Sequence, residues 1–463
     1  MTSTRLSRMR AFWLRPRSSP LDDWIGVVAW LLSRSVMAYV FAVQTRFIRA
    51  DVVYYFTSID GSAITSRDDL AHSLVEYPVP VVWIMQLLRT LSGPSEDVYV
   101  FLFALCLVAL DALCCWLLWT RISRLSSVLW MLFIFLIGPL VWFRIDLIPA
   151  VCVLLALKEL GRRPRFAGAA IAVGAATKLW PALLIVPMLG WHPAGRRRGI
   201  GFLATGLVIG GASLFTEGFA RSASPLTWQS ARGLQVESIW ATPLMIARLG
   251  SGGDDWTVRL SQYNAYEIFG PSVDAWTSAA TVAMVVLIVL VAVLGWLIVL
   301  GGLGLPGHSL RLAGADGRRR DRELAITLST LAIVCGVIVA NKTFSPQYMI
   351  WLAGPFAMLI ATQLRSKDRR HAMIMLVLGL VAAALTQFVF PLNYAALVQS
   401  TDPGAVVTVV LAIRNLIMVV LTVYASTLAL RAAWRVGLAR REPGVIHEPG
   451  LAVRAPGSLE VAS

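Results

Sequence analysis

Residues 278–304, SAATVAMVVLIVLVAVLGWLIVLGGLG, carry no Asp, Glu, Lys or Arg. About 20 apolar residues cross a bilayer as a helix, and in hydrocarbon only helices and closed barrels satisfy every backbone N–H and C=O. The pattern recurs along the chain, at 24–43, 98–120, 125–142, 145–160, 199–216, 324–341, 347–363, 372–391 and 404–430. Composition agrees, with 57% hydrophobic and only 14% charged residues and a mean hydropathy of +0.70. Soluble domains carry roughly a quarter charged residues, so the chain reads as an integral membrane protein. No small-residue cleavage site follows the basic N-terminal stretch, and 24–43 is expected to remain as the first helix.

The net charge of +15 raises the question of nucleic acid. Its distribution answers it, because the arginines cluster in short segments between apolar runs, where the positive-inside rule puts them. Those clusters also orient the chain. The stretch FAGAAIAVGAATKLWPALLIVPMLGW (166–191) is long enough for one helix, yet it has Arg162, Arg163 and Arg165 before it and Arg196 to Arg198 after it. Both ends then belong on the cytoplasmic side. This requires two half-helices turning at Thr177-Lys178, with Pro181 just past the bend. Segment 78–92 is too short to cross comfortably and is expected as an interfacial or re-entrant helix.

The expected fold is all-α and polytopic, with about 11–12 transmembrane segments including the broken-helix hairpin. Residues 1–23 form a basic cytoplasmic N-terminus and 24–430 the membrane domain, with extracytoplasmic loops at 44–76 and 216–277. Residues 431–463 form a cytoplasmic tail, disordered from 442 by composition. The expected location is the plasma membrane.

With this topology the polar residues collect on the outer face: Asp51, Tyr54, Glu76, Tyr77, Arg144, Asp146, Lys178, Arg232, Gln235, Glu237, Lys342, Gln347 and Tyr348. Ionisable groups at membrane depth are costly and face a cavity, a partner or a substrate. Plainer readings stand beside each. Lys178 can snorkel or form a structural ion pair with Asp146, and Asp51 can end a helix or balance Arg46 and Arg49. WQSARGLQVESIW (228–240) has the spacing of an amphipathic interfacial helix. Tyr54, Tyr55 and Trp240 suit an interfacial aromatic belt as well as a sugar face.

Other chemistries find no footing. Asp60, Asp68 and Asp69 read as turn and cap residues, and no metal site or cofactor is expected. His72 is a lone histidine. The five cysteines, Cys106, Cys114, Cys115, Cys152 and Cys335, lie in apolar segments without CxxC spacing and read as small buried hydrophobes. There is no Walker loop, dinucleotide fingerprint, HExxH or nucleophile elbow, and the cytoplasmic loops are too short for a nucleotide-binding domain. An enzyme built this way works on the outside with a lipid-borne activated donor.

ADVVYYF (50–56), EYPVP (76–80), TKLWPALLIVP (177–187), RGLQVESIW (232–240) and SPQYMIW (345–351) follow one another along the chain. In that order they resemble the glycosyltransferase family 87 enzymes, polytopic GT-C-fold proteins best known as actinobacterial polyprenol-phosphate-mannose-dependent α-mannosyltransferases. The resemblance runs from about residue 24 to 430. It implies that Asp51 is the general base, with Tyr54 beside it. Tyr77-Pro78 match a Tyr-Pro-Pro motif in which Val79 replaces the second proline. Lys178 and Pro181 match a K-x-x-P hairpin, Arg232, Gln235 and Glu237 an outer-loop motif, and Ser345 to Tyr348 a later S-P-Q-Y.

The implied reaction moves a hexose, mannose by the resemblance, from a polyprenyl-phosphate sugar to a glycolipid or glycan acceptor with inversion. Lys178, Arg232, Arg144 and Lys342 would stabilise the departing phosphate, and Tyr54, Glu76, Tyr77, Gln235, Glu237, Gln347 and Tyr348 would bind substrate. Three alternatives stay open: another polyprenyl-phosphate sugar such as arabinofuranose, a secondary transporter or lipid flippase, and an inactive scaffold.

Overall fold

The computed structural model describes residues 20–59, 74–250, 255–300, 315–362, 364–399 and 404–438. Most of the N-terminus, the residues from 439 onward, and Asp60, Asp68, Asp69 and His72 lie outside them.

Among the described residues the chain is a bundle of helices with one small β-hairpin. Among the described residues seven helices are long and apolar enough to cross a membrane. They are α1 (Pro20–Val43), α4 (Glu96–Arg121), α8 (Pro193–Ala231), α10 (Val273–Leu300), α11 (Ala315–Ala340), α13 (Ser366–Gln387) and α14 (Gly404–Leu438). Residues 431–438, expected to begin the tail, continue α14. Interleaved are α2 (Thr45–Ser58), α3 (Val79–Ser92), α5 (Arg124–Ile137), α6 (Leu147–Glu159), α7 (Pro164–Thr177), α9 (Thr242–Gly250) and α12 (Ala353–Ala361). Segment 78–92 forms the 14-residue α3.

Two expected spans are interrupted, and a third is shorter than expected. The stretch 125–142 is α5 followed by a 3-10 turn at Pro139–Phe143, broken where Gly138 takes φ +84°. The stretch 347–363 is a 3-10 helix, Pro346–Leu352, leading into the nine-residue α12. The stretch 145–160 shortens to the 13-residue α6. Gly and Pro account for the first two breaks, since Gly138 supplies the positive φ and neither Pro139 nor Pro346 donates a backbone hydrogen bond.

The hairpin required by the flanking arginines is present. From α7 the chain turns at Lys178 and returns through a 3-10 helix, Trp180–Leu184, and the short helix Ile185–Met188 to the start of α8. A Cβ on Gly168 would lie 1.9 Å from the Arg198 carbonyl oxygen, and one on Gly201 2.0 Å from that of Arg165. The two backbones touch only because both residues are glycine, the small-residue packing typical of membrane helices. That contact sets both ends of the hairpin at one level. Arg198 donates to the Leu160 carbonyl at 2.9 Å, Arg365 pairs with Asp321 at 3.6 Å, and Arg435 approaches Asp368 at 3.9 Å. The basic clusters thus gather at one end of the bundle.

Helix α11 is central and mostly buried, whereas α1 and α8 are peripheral. Phe215 and Phe219 on α8 are 85% and 79% exposed, apolar surface suited to lipid. Inside the bundle, Arg34 of α1 grips Asp111 of α4 through two hydrogen bonds of 2.8 Å, and Trp130 of α5 donates to the same carboxylate at 2.8 Å. Buried charges persist only when paired and hydrogen-bonded in this way. Cys106 is exposed, unlike the other four cysteines.

The stretch 228–240 is not one helix. Helix α8 breaks at Gly218, where φ is +73°, and ends at Ala231. Gln235 then bridges to Glu267 in the hairpin of β1 (Thr257–Leu260) and β2 (Tyr266–Phe269). Leu234 and Val236 are buried with Ile268, so the apolar residues repeat every second position, as in a strand.

Candidate functional site

At the end of the bundle opposite the basic clusters lies a cavity of about 830 Å³. All twelve residues singled out for catalysis, phosphate binding or substrate binding line it. They arrive from different parts of the chain, several on helices interrupted near their ends. The 3-10 turn after α5 leads directly to Arg144, the turn after α7 presents Lys178, and the 3-10 helix before α12 carries Gln347 and Tyr348.

Two ion pairs form one wall. Arg144 is in extended conformation, and Asp146, two residues on, precedes α6. Arg144 Nε lies 2.9 Å from Asp51 Oδ2, and its Nη1 donates to the Ile48 and Phe143 carbonyls at 2.9 and 2.8 Å. Arg144 is nearly enclosed, while Asp51 keeps 26% exposure toward the cavity. Asp51 therefore balances Arg144; Arg49, a partner considered from sequence, turns to Glu96 and Asp97.

Lys178 Nζ donates to Asp146 Oδ1 at 2.6 Å, and Trp351 Nε1 donates to the same oxygen at 2.8 Å. The ion pair considered for Lys178 is thus formed. Its ammonium also sits 4.8 Å from the Tyr348 ring centroid and 5.4 Å from that of Trp351, within cation–π range. Trp180 and Tyr348 each stack on Trp351, at 4.7 and 4.2 Å. This aromatic stack fixes the height of the lysine.

A second wall comes from the first loop. Tyr54 donates to Glu76 at 2.9 Å, and the Tyr55 and Tyr77 hydroxyls lie 2.8 Å apart. Burial pushes the Glu76 carboxyl above its usual range; it also raises the Tyr54 phenol, with Glu76 adding to the effect. The Glu76-Tyr77 turn is held from outside by α8. Arg221 donates to the Leu74 and Tyr77 carbonyls at 3.0 and 3.1 Å, and Ser224 to Val75 at 2.7 Å. Sequence reasoning passed over Arg221 and Ser224, since nothing local distinguishes them.

The third wall is the strand-like segment after α8. Gln235 N–H donates to the Lys342 carbonyl at 3.1 Å, joining this segment to the turn after α11. Arg232 donates to the Tyr263 carbonyl at 3.1 Å. Glu237 is fully buried, 3.8 Å from Arg414 Nη2, which also donates to the Glu237 carbonyl at 2.8 Å. Burial pushes the Glu237 carboxyl up to about 7, with Arg414 pulling the other way. Asn415 adds hydrogen bonds to the Glu237 and Ser238 carbonyls, both at 3.2 Å. Arg414 and Asn415 were also missed, although an arginine and asparagine inside an apolar span are a signal in themselves.

Leu179, Leu183, Leu226, Met284 and Val337 complete the cavity with apolar surface. Among the described residues no His, Cys, Asp and Glu side chains are grouped to hold a metal ion. Fold and cavity together define a multi-pass helical membrane architecture with an amphiphilic cavity at one end. Compared with protein-family models, with curated proteins and with solved structures, the chain matches none.

Proposed function

We propose that the cavity is the active site of an inverting glycosyltransferase, which moves a hexose from a polyprenyl-phosphate donor to a hydroxyl acceptor on the extracytoplasmic face. One observation carries the reading. A single cavity of about 830 Å³ joins a partly exposed carboxylate, several cations and an apolar wall. That volume lies within the roughly 300–1,000 Å³ of small-molecule sites. A lipid-linked sugar needs all three features: a base for the acceptor, cations for the phosphate and apolar surface for the start of the lipid.

In the reaction the acceptor oxygen attacks the anomeric carbon and its proton passes to Asp51. The bond from that carbon to the phosphate oxygen breaks, and the polyprenyl phosphate leaves. Arg144 orients the Asp51 carboxylate through Oδ2. Lys178, Arg232 and Lys342 face the same space and stabilise the charge that grows on the departing phosphate. Tyr54, Glu76, Tyr77, Gln235, Glu237, Gln347 and Tyr348 shape the sugar sites. A β-linked donor then gives an α-linked product in one displacement. The resemblance to glycosyltransferase family 87 points to mannose, and the basic clusters at the far end support an outward-facing cavity by the positive-inside rule.

The test is transfer by purified protein in nanodiscs, from radiolabelled polyprenyl-phosphate mannose to mannoside acceptors, comparing wild type with Asp51→Asn. Product from wild type, almost none from the variant and donor binding kept in both would support the reading. Equal activity would remove Asp51 from the chemistry. A wild type that neither transfers nor binds donor would shift the reading to a transporter, whose broken helix with a charged apex this chain shares.

A further inference from the structure

A smaller cavity of about 230 Å³ lies at the basic end of the bundle, among α11, α13, α14 and the end of α12. Its floor is apolar, formed by Leu324, Leu328, Leu359 and Leu428. Its rim carries Lys367, Arg431 and Arg435 against one carboxylate, Asp368, a formal balance of +2 with His371 neutral. The Arg435–Asp368 approach is 3.9 Å and half-exposed, so it neutralises little. Among the described residues no ion pair ties Lys367 or Arg431. The first turn of α13 borders the same space, and its N-cap, Arg365, supplies no side-chain hydrogen bond to the open N–H groups.

We propose that this cavity binds the phosphate headgroup of an anionic membrane phospholipid, with the adjoining part of the lipid resting on the leucine floor. Charge complementarity selects the headgroup, and the floor selects a lipid over a free anion. Trp434, one residue before Arg435 and 56% exposed, suits the bilayer interface at that level. Basic pockets between membrane helices bind acidic headgroups on these terms. The site is separate from the large cavity and does not depend on the reaction proposed there.

The test is native mass spectrometry of the full chain titrated with phosphatidylglycerol, phosphatidylcholine or inorganic phosphate. Wild type is expected to retain phosphatidylglycerol over phosphatidylcholine and to be indifferent to phosphate. Each cation near an acidic headgroup is worth about fivefold in affinity. Arg431→Gln/Arg435→Gln should therefore weaken phosphatidylglycerol binding about thirtyfold. Arg162→Gln/Arg163→Gln, the same charge change outside this cavity, should alter it less than about threefold. The single change Lys367→Gln, at an exposed position, should cost about fivefold and serves if the double variant folds poorly. Equal loss in both double variants would mean diffuse surface attraction. Binding of phosphate as tight as that of the lipid would mean a free-anion site. Either result, or no loss in any pocket variant, overturns the proposal.

Discussion

The Lys178–Asp146 pair allows the structural and chemical roles of Lys178 to be separated. At 2.6 Å and an effective dielectric near 20, two unit charges attract by about 6 kcal/mol, most of it offset by their dehydration. Removing one partner of a buried pair costs about 3–5 kcal/mol, because the other is left unpaired. The two partners are not equivalent. The Lys178 side chain is 21% exposed and can turn toward cavity water, whereas Asp146 is 2% exposed. Asp146→Asn, which still accepts from Trp351, should therefore cost about 3 kcal/mol, and Lys178→Met, which strands a buried carboxylate, about 5. The double variant should be more stable than Lys178→Met alone. Chemical unfolding in detergent, followed by tryptophan fluorescence, gives the cycle. If Lys178 also holds the donor phosphate, the double variant should recover stability but bind polyprenyl-phosphate mannose at least tenfold more weakly, the loss of a charge-assisted hydrogen bond. Asp146→Asn costing more than Lys178→Met, or a double variant no better than the worse single, would refute the reasoning.

Asp111→Ala should destabilise the chain by about 3–5 kcal/mol, since it leaves Arg34 buried without its carboxylate, while donor binding by the folded fraction is unchanged. Gly201→Ala should cost about 1–3 kcal/mol in the same unfolding assay, because its methyl would sit 2.0 Å from the Arg165 carbonyl. Gly206→Ala, with nothing within 4 Å, should be neutral or slightly stabilising. Glu237, raised from 4.5 to about 7, binds its proton more tightly folded than unfolded, so stability is full below pH 4.5 and falls as pH rises through 7. The interval is worth up to about 3 kcal/mol, and Glu237→Gln should remove this pH dependence from thermal unfolding curves.

Much of this architecture could be read from the chain. The apolar runs located the long helices, and two arginine clusters on either side of 166–191 were enough to require a turn at Lys178. The set of cavity residues was legible for a related reason: carboxylates and cations at the margin of apolar segments have few places to go except a shared polar space. Their pairing was less so. Which cation takes Asp51 depends on how Arg144 emerges from the turn after Gly138, a matter of tertiary geometry. The strand character of 232–237 was overlooked because Leu234, Ile239 and Trp240 fit a helical period when Val236 is left aside. Arg34, Asp111 and Arg414 could have been flagged, because each interrupts an otherwise apolar span.

Helices α6 and α7 each connect the basic end of the bundle to the cavity wall, yet they have only 13 and 14 residues. At 1.5 Å per residue they rise about 20 Å, against about 30 Å of hydrocarbon in a typical bilayer. Upright in a bilayer, their cavity ends would therefore sit about a third of the membrane's thickness below the opposite surface. Around Asp51 and Lys178 the protein would then act as a local thinning of the barrier. A group carried on a membrane lipid reaches that depth by lateral diffusion, with its chain still in oil, while a water-borne partner has only to descend a short well to meet it.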